Sequence, residues 1–337
     1  MASLTDHQWG MKRETTYGTP VTVDRFYPWV DGTKGEWDPR RRTAEGMIAG
    51  GGRRTKLASR SYLSQGIGKV TTKIELATRG CGVLLDCALG VSTVTGITSG
   101  SQQNFHYGLT GAYLPSATIQ IVKIMNSGTP WVETYAGCTA SKITIEQPED
   151  AIATLEVEWD AQSLSTVTAA AVASYGSLGT VLDATAHASA GLGATLTVPT
   201  TTALATGPTA FADIKELKVE IDQAIDVERW VLGGRNQPSA LSPSIKVDGK
   251  AEFNASTLPA AMAAGTVLPF MVTWTTTETL GAGFAQAQLA IPQLALTGDF
   301  PEVSMGKTGT VPIKAEVLSD GTNRDLYWVM RTLDIAL

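Results

Sequence analysis

Two stretches of the chain share one pattern of apolar and polar positions. From Ser64 to Gly90, Ile67, Val70, Thr72, Ile74 and Leu76 fall to one side, and Lys69, Thr71, Lys73 and Glu75 alternate onto the other. A period of two predicts a half-buried strand. A short helix should follow, with Thr78 as its cap, Val83, Leu84, Cys87 and Leu89 as its apolar face, and Gly90 as its end. The construction recurs from Ser244 to Gly265. There Ile245, Val247, Ala251 and Phe253 alternate with Lys246, Asp248, Lys250 and Glu252, Ser256 or Thr257 caps a second short helix, and Gly265 closes it. A unit that occurs twice suggests a duplicated chain.

The remaining elements fit that order. Glu14–Pro20 reads as a loop, and Phe26–Val30 as a strand that Pro28 keeps at an edge or a start. Residues 31–60 have poor apolar periodicity and predict a long loop or hairpin arm, whereas 93–112 read as a Gly/Ser/Thr-rich connection. Strands are expected at 117–125, 131–135, 141–146 and 153–160, the last with Leu155, Val157 and Trp159 inward and Glu156, Glu158 and Asp160 outward. Residues 161–209, whose only formally charged side chain is Asp183, mark a junction, with a strand expected at 193–199. The second half then shows strands at 214–222, 270–274, 286–296 and 309–318, a loop at 223–243, and a final strand or docking tail at 325–332. The chain thus divides at 1–165 and 166–337, and the fold class is all-β with short flanking helices.

Composition supports a β-rich structural protein. Of the 337 residues 17% are charged, 43% are hydrophobic and 34 are glycine. A net charge of −6, with the acidic excess in the second half, argues against tight binding to nucleic-acid phosphates. The unpaired spacing of Cys81, Cys87 and Cys138 fits small buried hydrophobes in a reducing compartment. The N-terminal residues lack the apolar core of a signal peptide, and no run of about 18 apolar residues predicts a membrane span.

Catalytic signals are weak. Met305-Gly306-Lys307-Thr308 resembles the end of a phosphate-binding loop, but position 301 is Pro where that motif needs Gly. His7, His106 and His187 lie far apart without carboxylate or cysteine at ligand spacing. No catalytic residue, metal site or cofactor is therefore expected. The unusual local features are the Arg/Gly segments: Arg40, Arg41, Arg42, Arg53, Arg54 and Lys56 in the first half, and Arg229 and Arg235 in the second. They admit three readings: phosphate contact, an arm that pairs with acidic groups on a neighbouring subunit, or a solvated loop. The acidic chain, and the lack of aromatic residues among the later basic ones, favour the protein arm.

The stretch Glu14-Thr15-Thr16-Tyr17-Gly18-Thr19-Pro20-Val21, followed by Phe26-Tyr27-Pro28-Trp29, resembles the opening of the major tail tube proteins of long non-contractile-tailed phages of actinobacteria. The strand and helix of 66–90, with Leu84, Leu85 and Leu89-Gly90, resemble the next block of that family. The resemblance implies the fold of lambda-type tail tube and type VI secretion tube proteins, a β-sandwich or partial barrel flanked by a short helix. Six such folds form a ring whose inner sheets join into one barrel, and stacked rings conduct DNA from the capsid into the host. On this resemblance, two tandem folds make a pseudo-hexameric ring of three chains, with hexameric rings as the alternative. Arms 31–60 and 223–243 reach the neighbouring ring. The lumen candidates are Lys69, Thr71, Lys73, Glu75, Lys246, Asp248, Lys250 and Glu252. Implied partners are further copies of the chain, a tape measure protein, tail terminator and distal tail proteins, and DNA in transient passage, without a membrane. The location implied is the virion tail, assembled in the host bacterial cytoplasm. Rival readings are a capsid decoration or tail fibre protein, and a secreted β-rich binding module or enzyme.

Overall fold

The structure, a computed structural model, describes residues 7–43, 60–107, 113–193, 195–208, 214–232, 234–241, 243–252, 257–281, 283–297 and 309–337. The chain opens with β1 (Gln8–Arg13), β2 (Arg25–Tyr27) and β3 (Lys34–Asp38). β4 (Arg41–Thr43) pairs with β5 (Ser61–Leu63) as a separate two-stranded ribbon. β6 (Ile67–Glu75) leads into α1 (Gly82–Leu89), then β7 (Gly90–Ile97), β8 (Gly100–Tyr107), β9 (Ala117–Ile124), β10 (Pro130–Gln147), β11 (Thr154–Ala161) and β12 (Ser163–Ser165). α2 (Ala184–His187) and β13 (Ala188–Leu192) precede β14 (Ile214–Asp222), the small hairpin β15 (Trp230–Val231) and β16 (Gly234–Arg235), and β17 (Ser244–Glu252). α3 (Thr257–Ala264), β18 (Val267–Leu280), β19 (Gly283–Leu296), β20 (Thr310–Val317) and β21 (Leu326–Thr332) complete the chain.

The fold is nearly all β. One continuous series of antiparallel ladders runs β3–β6–β11–β10–β14–β17–β20–β19, crossing from the first half to the second where β10 meets β14. The long strands β10 and β19 continue into the opposing layer. β10 pairs there with β9, β19 pairs with β18 and β21, and β21 pairs with β8 of the first half. One hydrophobic core spans both halves and contains the fully buried Trp9, Trp159, Trp274 and Trp328. Two indoles keep polar partners inside it: Trp159 Nε1 donates to Thr72 Oγ1 at 2.8 Å, and Trp274 Nε1 donates to Gln147 Oε1 across the halves at 2.8 Å.

The first strand–helix unit forms as its pattern predicts, with two differences. Ile67 sits on the face of Lys69 and Thr71, because Gly68 takes the inward place beside Val70. Thr78 does not cap α1. Its hydroxyl is engaged with Glu278 and the amide of Thr180, while Cys81 stands at the N-cap without a capping side-chain hydrogen bond. Gly90 does end the helix, at φ 95°, its N–H returning to Asp86 O. α1 is buried almost all round because β7, β8, β1 and β10 pack on it, and its one charge, Asp86, is met by Arg13 at 2.6 Å and Ser92 at 2.6 Å.

Four further expectations change. Residues 93–107 are the hairpin β7–β8. The polar run Gln102, Gln103 and Asn104 is buried because carbonyls of Thr200, Ala203 and Ala336 accept from it. Segments 131–135 and 141–146 belong to one strand, β10, which shifts register near Tyr135/Cys138 and Ala140/Lys142. The strand expected at 193–199 lies earlier, as β13; Thr197 makes an isolated bridge to Thr206. Within the expected arm, residues 34–38 form β3 on the edge of β6. The junction is also anchored: Ala171 N donates to Gln120, and Leu182 N donates to Leu76 O.

The two halves repeat one register. Lys34-Gly35-Glu36-Trp37-Asp38 lies on β6 as Lys218-Val219-Glu220-Ile221-Asp222 lies on β17, with Glu36 opposite Lys69 and Glu220 opposite Lys246. Each first strand ends in the same turn. Asp38 accepts from Arg40 N and Asp222 from Ala224 N, both at 2.8 Å, and these two non-glycine residues take φ 45° and 43°. On the other side of the central strands, Lys69 faces Asp160 and Lys246 faces Glu316. Even the irregular hydroxyl beyond repeats: Ser141 donates to Glu158 O at 3.0 Å, and Thr297 to Lys314 O at 3.2 Å.

Candidate assembly face and arms

Alternation puts apolar residues of β6, β11, β10, β14, β17 and β20 into the core and their charged residues on one outer face. The predicted lumen residues lie there: Lys69, Lys246, Asp248 and Lys250 are exposed, and Thr71, Lys73 and Glu252 are partly covered. Glu75, also on this face, ends the row on β6. The sequence reading missed how far the face extends. Register adds Lys142, Glu146, Glu156, Glu158, Glu216, Lys218, Glu220, Lys314 and Glu316.

The signs interleave across strands. Lys69 lies between Glu36 and Asp160, Lys246 between Glu220 and Glu316, and Asp248 between Lys218 and Lys314; Lys73 faces Glu156. Several pairs close into ion pairs: Lys142–Glu220 at 3.0 Å across the two halves, Lys250–Glu216 at 2.7 Å, and Lys215–Glu252 at 2.9 Å. The hydrogen bond from Lys142 holds the Glu220 carboxyl below its ordinary range, and Glu220 in turn raises Lys142. Such a face carries charge without a net positive stripe, so it offers no row of unneutralised cations to phosphates.

The basic residues of the two Arg/Gly segments separate into four groups. Arg41 and Arg42 lie on β4 and Arg40 just before it, Arg41 donating to Ser61 Oγ at 3.2 Å. Arg53, Arg54 and Lys56 lie outside the described residues. Arg229 donates to Gln237 O of its own loop at 2.7 Å and lies 5.5 Å from the ring centroid of Tyr113, between β8 and β9.

Arg235 corrects the sequence reading. It is 4% exposed, and its guanidinium pairs with Asp160, equally buried, while also donating to Val227 O at 2.8 Å and Ala161 O at 3.3 Å. Asp160 was expected to face outward with Glu156 and Glu158. It is buried because the β15–β16 hairpin of the second half folds over the end of β11. Burial raises its carboxyl above the ordinary range, and Arg235 opposes that shift. No pattern in the sequence marks Arg235, since loop residues carry no alternation from which to read burial. Trp230, also missed, lies between the two arms: the Arg40 guanidinium is 4.9 Å from its ring centroid and that of Arg235 is 5.6 Å away.

Other chemistry is sparse. Among the described residues no three His, Cys, Asp or Glu side chains are grouped to hold a metal ion, and no helix is long and apolar enough to cross a membrane. Cys81, Cys87 and Cys138 are free and buried.

The sequence matches the phage tail tube protein family over residues 5–312. The chain belongs to that family. No curated protein matches it. The tail tube protein is therefore a structural component of the virion tail that self-assembles into a tube, and it is built on an all-β fold.

Proposed function

We propose that this tail tube protein is two tandem tube-type units, residues 1–165 and 166–337, and that three chains close into a ring of six units. Rings stack into a hollow tube through which DNA passes from capsid to host. The observation carrying this reading is the β10–β14 ladder, which joins the sheets of the two halves edge to edge. A ring needs that kind of joint between every pair of units, and the chain holds one internally. The repeated register and the matching turns at Asp38 and Asp222 support two equivalent units. The interleaved face, which carries Lys69 to Glu75 on β6 and Lys246 to Glu252 on β17, lines the channel. There its balanced signs let DNA slide without firm attachment. The arms of 31–60 and 223–243 make the contacts between rings.

Electron microscopy of the assembled protein, with image averaging and a measurement of mass per ring, tests this. Three chains per ring with approximate sixfold symmetry is the expected result; six chains per ring, or a solid filament, would overturn it. Deleting residues 50–56 should leave single rings of folded protein that no longer stack. Normal tubes from that variant would refute the arm's role.

A further inference from the structure

The internal joint leaves a counterpart unfilled. At the end of β11, Asp160 faces Lys69 on one side and Thr139 on the other. At the corresponding end of β20, Glu316 faces Lys246 and Ala295. Asp160 is covered by a hairpin of the following unit and paired with Arg235. Glu316 is exposed and has no ion-pair partner among the described residues. Two places further on the contrast repeats. Gln162 donates to Arg235 O at 3.1 Å, whereas Leu318 at the matching place is a large apolar side chain left 45% exposed.

The complementary surface exists at the other end of the chain. β3 occupies the place of β14, but among the described residues it pairs only with β6, so the edge corresponding to the one β14 gives to β10 is open. The hairpin that follows β14 carries Arg235. The hairpin that follows β3 carries Arg41 and Arg42, both exposed, and beside them Tyr62 and Leu63, each 59% exposed.

We propose that Glu316 of one copy is the acceptor for Arg41 and Arg42 of the next copy, with Tyr62 and Leu63 covering Leu318. This contact closes between chains what Asp160 and Arg235 close within one. The partner is a second copy of this chain, and the proposal rests on the ring reading above.

Charge reversal tests it. Glu316→Arg and the double variant Arg41→Glu/Arg42→Glu should each raise the protein concentration needed for assembly at least about tenfold, a loss of about 1.4 kcal/mol in the contact. Combining all three reversals in one chain should restore assembly to within about threefold of wild type, under 1 kcal/mol. The thermal midpoint of dispersed Glu316→Arg protein should fall by no more than about 2 °C, the cost of an exposed like-charge pair with the cross-strand Lys246, because the contact itself is absent from a single chain. Wild-type protein that forms no rings would overturn the ring reading and this proposal with it. Rings that form normally in Glu316→Arg, or a triple reversal no better than its parents, would overturn the proposal alone.

Discussion

Replacing Arg235 by alanine should destabilise the single chain severely. The side chain is 1% exposed and its partner Asp160 is 6% exposed. Removing the guanidinium leaves a buried carboxylate without its counter-charge and frees the carbonyls of Val227 and Ala161 from their donor. Breaking a buried ion pair from one side costs about 3–5 kcal/mol, because desolvation persists after the attraction is gone. For 337 residues the unfolding entropy is roughly 0.7 kcal/mol per kelvin, so this cost corresponds to a fall of about 4–7 °C in the unfolding midpoint.

Calorimetry on non-assembled protein gives the number directly. The companion variant Asp160→Leu/Arg235→Met removes both charges and keeps apolar volume. It should recover most of the loss, since apolar replacement of a buried pair is often neutral or favourable. Asp160→Leu alone should resemble Arg235→Ala, because it strands the opposite charge. An Arg235→Ala midpoint within about 1 °C of wild type would refute the claim that the pair is dry. A double variant no more stable than either single one would refute the claim that an unpaired charge is the cause.

Three further outcomes follow from other groups. Glu14→Gln should cost about 2–3 kcal/mol in thermal unfolding, because the carboxylate accepts from Gly18 N, Gly137 N, Ser116 Oγ and Thr118 Oγ1 at 2.8–2.9 Å and an amide turns a donor toward some of these; an unchanged midpoint would contradict this. The three thiols should be inert to an aromatic disulfide reagent at neutral pH and all react in denaturant, since burial pushes Cys81 up to about 11 and raises Cys87 and Cys138 as well; prompt reaction of any one in native protein would show local opening. Glu220, held below its ordinary 4.5 by Lys142, contributes stability that is present above pH 4.5 and lost as pH falls through its lowered value. Glu220→Gln should therefore flatten the acid limb of stability, by under about 1 kcal/mol given its partial exposure; equal slopes in acid titrations of the two proteins would count against it.

The strand–helix units were legible because each strand has one face in the core and one in water, so period two survives in the sequence. The hairpin β7–β8 was not, because β8 buries polar and apolar residues alike and β7 buries neither, so neither strand alternates. Gln102, Gln103 and Asn104 read as a polar connection until distant segments bring the carbonyls of Thr200 and Ala203 to Gln102 and Asn104, and that of Ala336 to Gln103. β3 escaped notice because five residues between a Gly turn and Asp38-Pro39 give too short a pattern. The charged face was half legible. The lysines and carboxylates of β6 and β17 stood out, but their neighbours on β11, β14 and β20 joined them only through register, which sequence alternation does not specify.

The difference between Asp160 and Glu316 also bears on how the two joints form. Within the chain, β14 is tethered to β10 and its hairpin folds over β11 once, during folding. Such a joint can seat a short carboxylate in a dry site, because tethering supplies a high effective concentration against which desolvation is offset. A joint between chains forms from solvent and begins with both surfaces hydrated. A buried, unpaired aspartate waiting for its partner would destabilise every free chain, whereas an exposed glutamate with a longer reach does not. On the ring reading, Glu316 and the exposed arginines of the β4–β5 arm are therefore what a reversible copy of the Asp160–Arg235 joint requires. Introducing the internal version at the outer joint, by Glu316→Asp, should weaken assembly rather than strengthen it, because the shorter side chain loses reach before any surrounding surface has formed to hold it.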